Sequence, residues 1–309
     1  MTIHWKRFLK IAGILLSIFL IISVFVNFYI AKSVISSLTD VRIEKNDHTL
    51  DDFGLKGEQI FVQSEDGLQI NAYIIPNEQS KGNVIILHGM HGMDATSLFD
   101  YAKFVFDSGF TPVCVDMRAH GKSDGESLSL AYNETKDVKA AIKYLKDDKN
   151  FNKKPIIIYG LSMGASTAIN TASKYNNVDG IIAVSPFLSI QDQISDYMQN
   201  DGAPELLIKI LNPFYNLILR NKFKINPKKE SPKNLIQNIQ NIPVLIIHGE
   251  MDSQTKVYQA KELYRRCSSN KKELWIVNDK GHLIVDDVLK EDAKFYRDKI
   301  ITFLTNNFE

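Results

Sequence analysis

Five short apolar runs limit what this chain can fold into: "NVIILHG" from Asn83, "FTPVCVD" from Phe110, "PIIIYG" from Pro155, "VDGIIAVSP" from Val178 and "IPVLIIHG" from Ile242. They are nearly continuous rather than alternating, the pattern of strands buried on both faces of a parallel sheet. "ELWIVND" from Glu273 extends the series. Helical patterns lie between the runs. "DATSLFDYAKFVFDSG" ends on Gly109, a C-cap residue. "NETKDVKAAIKYLKDD" places Val138, Ile142 and Leu145 on one face. "QTKVYQAKELYRRC" and "DDVLKEDAKFYRDKIITFL" supply two more helices. Strands alternating with helices predict an α/β fold with right-handed crossovers and a mostly parallel central sheet. Upstream, "EQIFVQSEDGLQINAYIIP" predicts a hairpin about "EDG".

A chain of 309 residues, 44% hydrophobic and 24% charged, can bury a core without covalent staples. The formal net charge of +1 gives no field for nucleic acid. Cys114 and Cys267 form no CxxC pattern, so no zinc or redox centre is expected, and Cys114 in its strand serves packing.

Residues 11–30, "IAGILLSIFLIISVFVNFYI", carry no charge and at 1.5 Å per residue would span about 30 Å, the hydrocarbon thickness of a bilayer. Lys6, Arg7 and Lys10 precede the run and only Lys32 closely follows. The positive-inside rule predicts a single-pass cell-membrane protein with its N-terminus in the cytoplasm and the domain that follows on the extracytoplasmic side. Of the two alternatives, a cleaved signal peptide ending near "AKS" (31–33) meets an apolar run longer than a signal h-region, and a buried helix is the other. The expected organisation is a membrane anchor over 1–32, a polar connector over 33–57, a core in two parts (58–186 and 236–309), and between these a helical cap over 187–235. Such an insertion would lie over the carboxyl edge of the sheet, where α/β proteins bind ligands.

One strand ends in "GLSMG", residues 160–164. A serine on a sharp strand-to-helix turn needs small neighbours, because a Cβ at Gly160 or Gly164 would meet adjacent backbone. Ser162 would then stand at the positive end of a helix, a useful place for a nucleophile. Alone, the pattern also describes an ordinary helix N-cap, so its partners decide. A hydroxyl needs a base. His282, in "NDKGHLIVDD" after the last strand, sits on the same edge of the sheet. The base needs a carboxylate to hold its tautomer, and Asp252 in "LIIHGEMDSQ" follows the preceding strand. Asp279, Asp286 and Asp287 compete, although the last two also suit the start of the final helix. The order Ser162, Asp252, His282 is that of the nucleophile-elbow architecture. The backbone N–H groups of Met163 and of Met90, in "LHGMHGM", would form the oxyanion hole, with His91 lining the substrate pocket. No metal or organic cofactor is required.

Taken together, "LHGMHG", "DMRAHGKSDGE", "GLSMG", "IHGEMD" and "KGH" resemble the α/β-hydrolase superfamily over about residues 58–309. Within it the chain resembles the membrane-anchored Bem46/ABHD-like group and the serine aminopeptidase-like (S33) hydrolases. The resemblance implies an α/β-hydrolase fold with a small helical cap and a Ser-His-Asp mechanism. Two departures stand out: "SQTKV" follows Asp252 where relatives carry Val-Pro, and His120 stands where glycine is common. The membrane run and a cap mixing Leu206, Leu207, Ile210, Leu211, Phe214 and Tyr215 with Lys209, Arg220, Lys222, Lys224, Lys228, Lys229 and Lys233 point to a small-molecule or lipid acyl ester as substrate, while the same charges also describe a solvated lid with one helix packed on the core. A peptidase, aminopeptidase or acyl-thioesterase would share every one of the three residues, and a tethered binding module without catalysis would need none.

Overall fold

The computed structural model describes residues 2–43, 46–90 and 92–308. Eight strands form one sheet: β1 (Glu58–Gln63), β2 (Gln69–Ile74), β3 (Asn83–Leu87), β4 (Thr111–Val115), β5 (Ile156–Leu161), β6 (Gly180–Val184), β7 (Val244–Gly249) and β8 (Lys272–Val277), in the order β1-β2-β4-β3-β5-β6-β7-β8. The hairpin β1–β2 turns through Gly67 at φ 89°, closed by Ser64 N–H to Leu68 O. β1 and β2 pair antiparallel, as do β2 and β4, and every other pairing is parallel.

The helices are α1 (Thr2–Thr39), α2 (Phe99–Asp107), α3 (Glu134–Asp147), α4 (Met163–Lys174), α5 (Ile190–Asn200), α6 (Glu205–Phe223), α7 (Pro227–Glu230), α8 (Pro232–Leu235), α9 (Val257–Arg266) and α10 (Lys294–Phe308). Successive strand residues point to opposite faces. Ile85 and Leu87 enter one apolar layer with Val138 of α3, Ile169 of α4 and Leu263 of α9. Val84 and Ile86 enter the other with Val105 of α2 and Ile300 of α10. Covering both faces is why the strands read as continuous apolar runs.

The structure departs from the sequence expectations in three places. First, α1 runs on to Thr39, so the boundary expected at residue 32 falls inside a helix. Ala31, Ile35 and Thr39, one turn apart each, are buried, because this last part of α1 packs along α6. Second, the stretch after it is a docked strap. Arg42 donates to the carbonyls of Gly121, Ser123 and Gly125, Ile43 bridges to His120, and Asn46 bonds Asp94. Third, α10 begins at Lys294, leaving Asp286 and Asp287 in the preceding loop. Ile284 at φ 70° breaks any helical path there, and Val288 turns inward to full burial. Within 187–235, α5 and α6 form a helical pair, whereas α8 packs down on α4 and α9.

Candidate active site

Ser162 joins β5 to α4 at φ 53° and ψ −112°, a conformation costly for any residue bearing a Cβ. Its N–H is tied to Val184 O on the neighbouring strand at 2.8 Å. A Cβ on Gly160 would lie 2.2 Å from Gly164 O, and one on Gly164 would lie 2.4 Å from Leu87 O. Both glycines are therefore needed for α4 to start directly over β3 and β5.

The turn aims the serine at the far end of the chain. Ser162 Oγ is 2.8 Å from His282 Nε2, and His282 Nδ1 is 2.8 Å from Asp252 Oδ2. Asp252 Oδ1 accepts the N–H groups of Gln254 and Thr255, each at 2.9 Å. The "SQTKV" segment thus cradles the acid through its backbone, which needs no Val-Pro pair. Burial by itself would raise the Asp252 pKa, but hydrogen bonds from His248 and His282 outweigh it and hold the carboxyl well below the usual carboxylate range. Asp279, Asp286 and Asp287 are not among the hydrogen-bond partners of His282.

Sequence reasoning passed over His248. It is fully buried, with Nε2 2.7 Å from Thr255 O and 3.2 Å from Asp252 Oδ2. Both neighbours only accept, so the ring proton sits on Nε2, and Nδ1 has no partner among the described residues. A histidine that ends a buried strand four residues before the acid was the available signal.

Two more strand-end and loop histidines hold the other side. His88 Nε2 accepts from Met117 N–H at 3.0 Å, so Nδ1 carries the proton that meets Gly89 O at 2.7 Å. Burial, then the neighbouring His120, pushes the His88 pKa down to about 3, so the ring stays neutral. His120 lies against it, 4.4 Å between ring centroids, and sends Nε2 to Met90 O at 2.6 Å. The left-handed positions on either side of it in that turn are Ala119, at φ 61°, and Gly121, at φ 49°, so His120 itself needs no glycine backbone. The loop so held passes beside the serine: a Cβ on Gly89 would lie 3.7 Å from Ser162 Cβ. Met90 packs against the apolar layer that contains the buried Met163. Met163 opens α4, so its N–H is among those a helix leaves without an intrahelical acceptor. His91, expected at the pocket, lies outside the described residues.

Gly249 fixes the approach of the His282 loop. A Cβ there would come within 2.1 Å of Gly281 O and 2.3 Å of Lys280 O. Gly249→Ala is expected to cost about 2 kcal/mol through overpacking and to lower activity more than its melting point suggests, because it pushes His282 away from Ser162. Thermal unfolding and kcat/KM measured on one preparation check this. A second prediction concerns Asp100 on α2. Burial, reinforced by nearby Asp287 in the loop after His282, raises its carboxyl to about 6. A carboxyl whose pKa is higher in the fold than in the unfolded chain (about 3.9 there) loses stability as pH rises through that interval. Asp100→Asn is therefore expected to raise stability by about 1–2 kcal/mol at pH 8, with the gain vanishing near pH 4. Melting temperatures across that range check it.

A doubly flanked, mostly parallel sheet with a serine on a strained strand-to-helix turn, facing a histidine and an aspartate from later loops, defines an α/β-hydrolase. The chain belongs to the serine aminopeptidase (S33) family, whose model matches residues 78–239, just over half of it, and it is a Bem46/ABHD-like hydrolase. It is 27% identical over 247 residues to YqkD of Bacillus subtilis, covering 79% of this chain and 78% of that protein. It is 23% identical to the membrane protein YNL320W of Saccharomyces cerevisiae, covering 74% of each. With protein bem46 of Schizosaccharomyces pombe the identity is 24%, over 74% of this chain and 72% of that one. Among solved structures, esterase Pf2001 of Pyrococcus furiosus superposes with a TM-score of 0.70 at 25% identity, over 87% of this chain and all of that one.

Proposed function

We propose that this hydrolase cleaves carboxylic esters of lipophilic acyl chains through a covalent acyl-enzyme. Ser162 attacks the carbonyl carbon while His282 Nε2 takes its proton, and Asp252 holds the imidazole with Nδ1–H toward itself and stabilises the imidazolium. The N–H groups of Met163 and Met90 receive the developing oxyanion. His282 then returns its proton to the departing alkoxide. Water enters, gives a proton to His282, attacks the acyl carbon and releases the acid as the proton passes back to Ser162. The observation that carries this reading is the unbroken line Ser162 Oγ–His282 Nε2 and His282 Nδ1–Asp252 Oδ2, both 2.8 Å.

The ester preference draws on the likeness to an esterase and on an N-terminal helix long and apolar enough to cross a membrane. We place α1 across the bilayer as a single span, with the positive charges of Lys6, Arg7 and Lys10 keeping the N-terminus cytoplasmic and the hydrolase domain outside. YNL320W, a relative that is itself a membrane protein, fits that placement. Residues 187–235 serve as the cap. The test is a graded series of p-nitrophenyl acyl esters run beside aminoacyl amides and acyl thioesters, with fluorophosphonate labelling of the same preparation. Esters turned over fastest, with labelling at Ser162, is the expected result. Hydrolysis of amides alone would replace the ester assignment with a peptidase, and no labelling at all would remove the nucleophile.

A further inference from the structure

Helix α6 has two apolar faces. Ile208, Leu211, Tyr215 and Leu219 are buried, in line with its role as a cover on the body. On the opposite side Leu206, Ile210, Pro213 and Leu217 recur every three or four residues and face solvent, with Leu206 69%, Ile210 42% and Leu217 47% exposed. A helix apolar on both sides normally has something on each.

What lies beside the outer face follows from how α6 meets α1. The Phe28 ring packs edge-on against Phe214 with centroids 6.4 Å apart, and Lys222 Nζ bonds Thr39 Oγ1 at 2.7 Å and also Asp40. Later residues of one helix meet later residues of the other, so the two run in the same direction. The eight residues from Leu206 to Phe214 then carry the N-terminal half of α6 about 12 Å back along α1, past Phe28. That brings Leu206 and Ile210 alongside the part of α1 whose apolar side chains stand exposed, including Val24, Phe25 and Val26. The polar side chains nearby are basic in excess: Lys209 (paired with Glu205), Arg220 and Lys224.

We propose that the outer face of α6 is embedded in the interfacial layer of the membrane from which α1 emerges, with the basic residues at the anionic headgroups. The inference rests on α1 spanning that membrane. An amphipathic helix sinks its apolar side about 5–10 Å into the boundary between headgroups and acyl chains, which suits a stripe of three large side chains and a proline. One element would then both cover the body and touch lipid, so an acyl substrate would reach the hydrolase from the bilayer rather than from bulk water.

The test uses the full chain reconstituted in vesicles of phosphatidylcholine and phosphatidylglycerol. Single cysteines at Leu206, Ile210 and Leu217 are labelled with bimane, with Val24→Cys reporting the anchor and Lys261→Cys on α9 reporting solvent; native Cys114 and Cys267 are buried. Acyl-brominated lipid is expected to quench the three α6 labels to within about twofold of Val24, and to leave Lys261 unquenched. Quenching at Val24 without quenching on α6 overturns the proposal and leaves the anchor standing. A lack of quenching at Val24 overturns both. Blue-shifted α6 labels that brominated lipid does not quench overturn it in favour of a second protein copy on that face.

Discussion

Ser162→Ala is expected to lower kcat/KM for an activated ester by about 10⁴- to 10⁶-fold and to abolish fluorophosphonate labelling. The size follows from what the residue would do: without its Oγ there is no acyl-enzyme, and only binding and the oxyanion donors remain. The variant should fold. Removing a hydroxyl makes no cavity of consequence, and the N–H to Val184 O bond that fixes the turn is backbone. An unchanged melting temperature with activity at the background rate is the expected pair of results. Activity within tenfold of wild type would show that another group is the nucleophile.

Asp252→Asn is expected to cost about 10³- to 10⁴-fold in kcat while leaving KM within a few fold, for a reason particular to this site. The N–H groups of Gln254 and Thr255 hold whatever oxygen occupies the Oδ1 position. The new amide must therefore turn its NH2 toward the Oδ2 position, facing His282 Nδ1. That NH2 donates, so Nδ1 must accept and the imidazole proton moves to Nε2. There it points at the Ser162 hydroxyl and cannot remove its proton. The same NH2 meets the Nε2–H of His248, donor against donor, so a loss of stability of about 1–3 kcal/mol should accompany the loss of rate. Ser162→Ala combined with Asp252→Asn should be no slower than Ser162→Ala alone, because residues of one catalytic unit are not additive. Burst kinetics and thermal unfolding of the three variants separate the two effects. A rate loss under tenfold would show that Asp252 does not set the tautomer.

Much of this was legible in one dimension, and the reasons differ by residue. The strands were readable because burial on both faces writes itself as unbroken Val, Ile and Leu, as at Ile156–Ile158. Ser162 was readable because the packing of α4 over β3 tolerates no side chain at Gly160 or Gly164. Asp252 and His282 followed from their places after β7 and β8, since parallel strands deliver their following loops to one edge. His248 and His88 were not readable as site residues. Each is a buried histidine at the end of a strand, and only the tertiary contact shows that one bonds Asp252 and the other clamps the loop of Met90. The helix continues over residues 33–39, where the sequence reads as a polar connector, since "SVISSLT" carries too little apolar residue to announce that it docks.

The amino-acid sequence alone determined the architecture, a sheet covered on both faces behind an N-terminal apolar helix, because burial and helix length are properties of residue type and spacing. It also determined which edge of the sheet would gather a hydroxyl, an imidazole and a carboxylate. Only the tertiary structure decided which nitrogen meets which oxygen, that a fourth residue stands behind the acid, and that α1 and α6 lie side by side. Those depend on distances between segments far apart in the chain, and hydrogen bonds and side-chain packing act over a few ångströms in space, whatever the separation along the backbone.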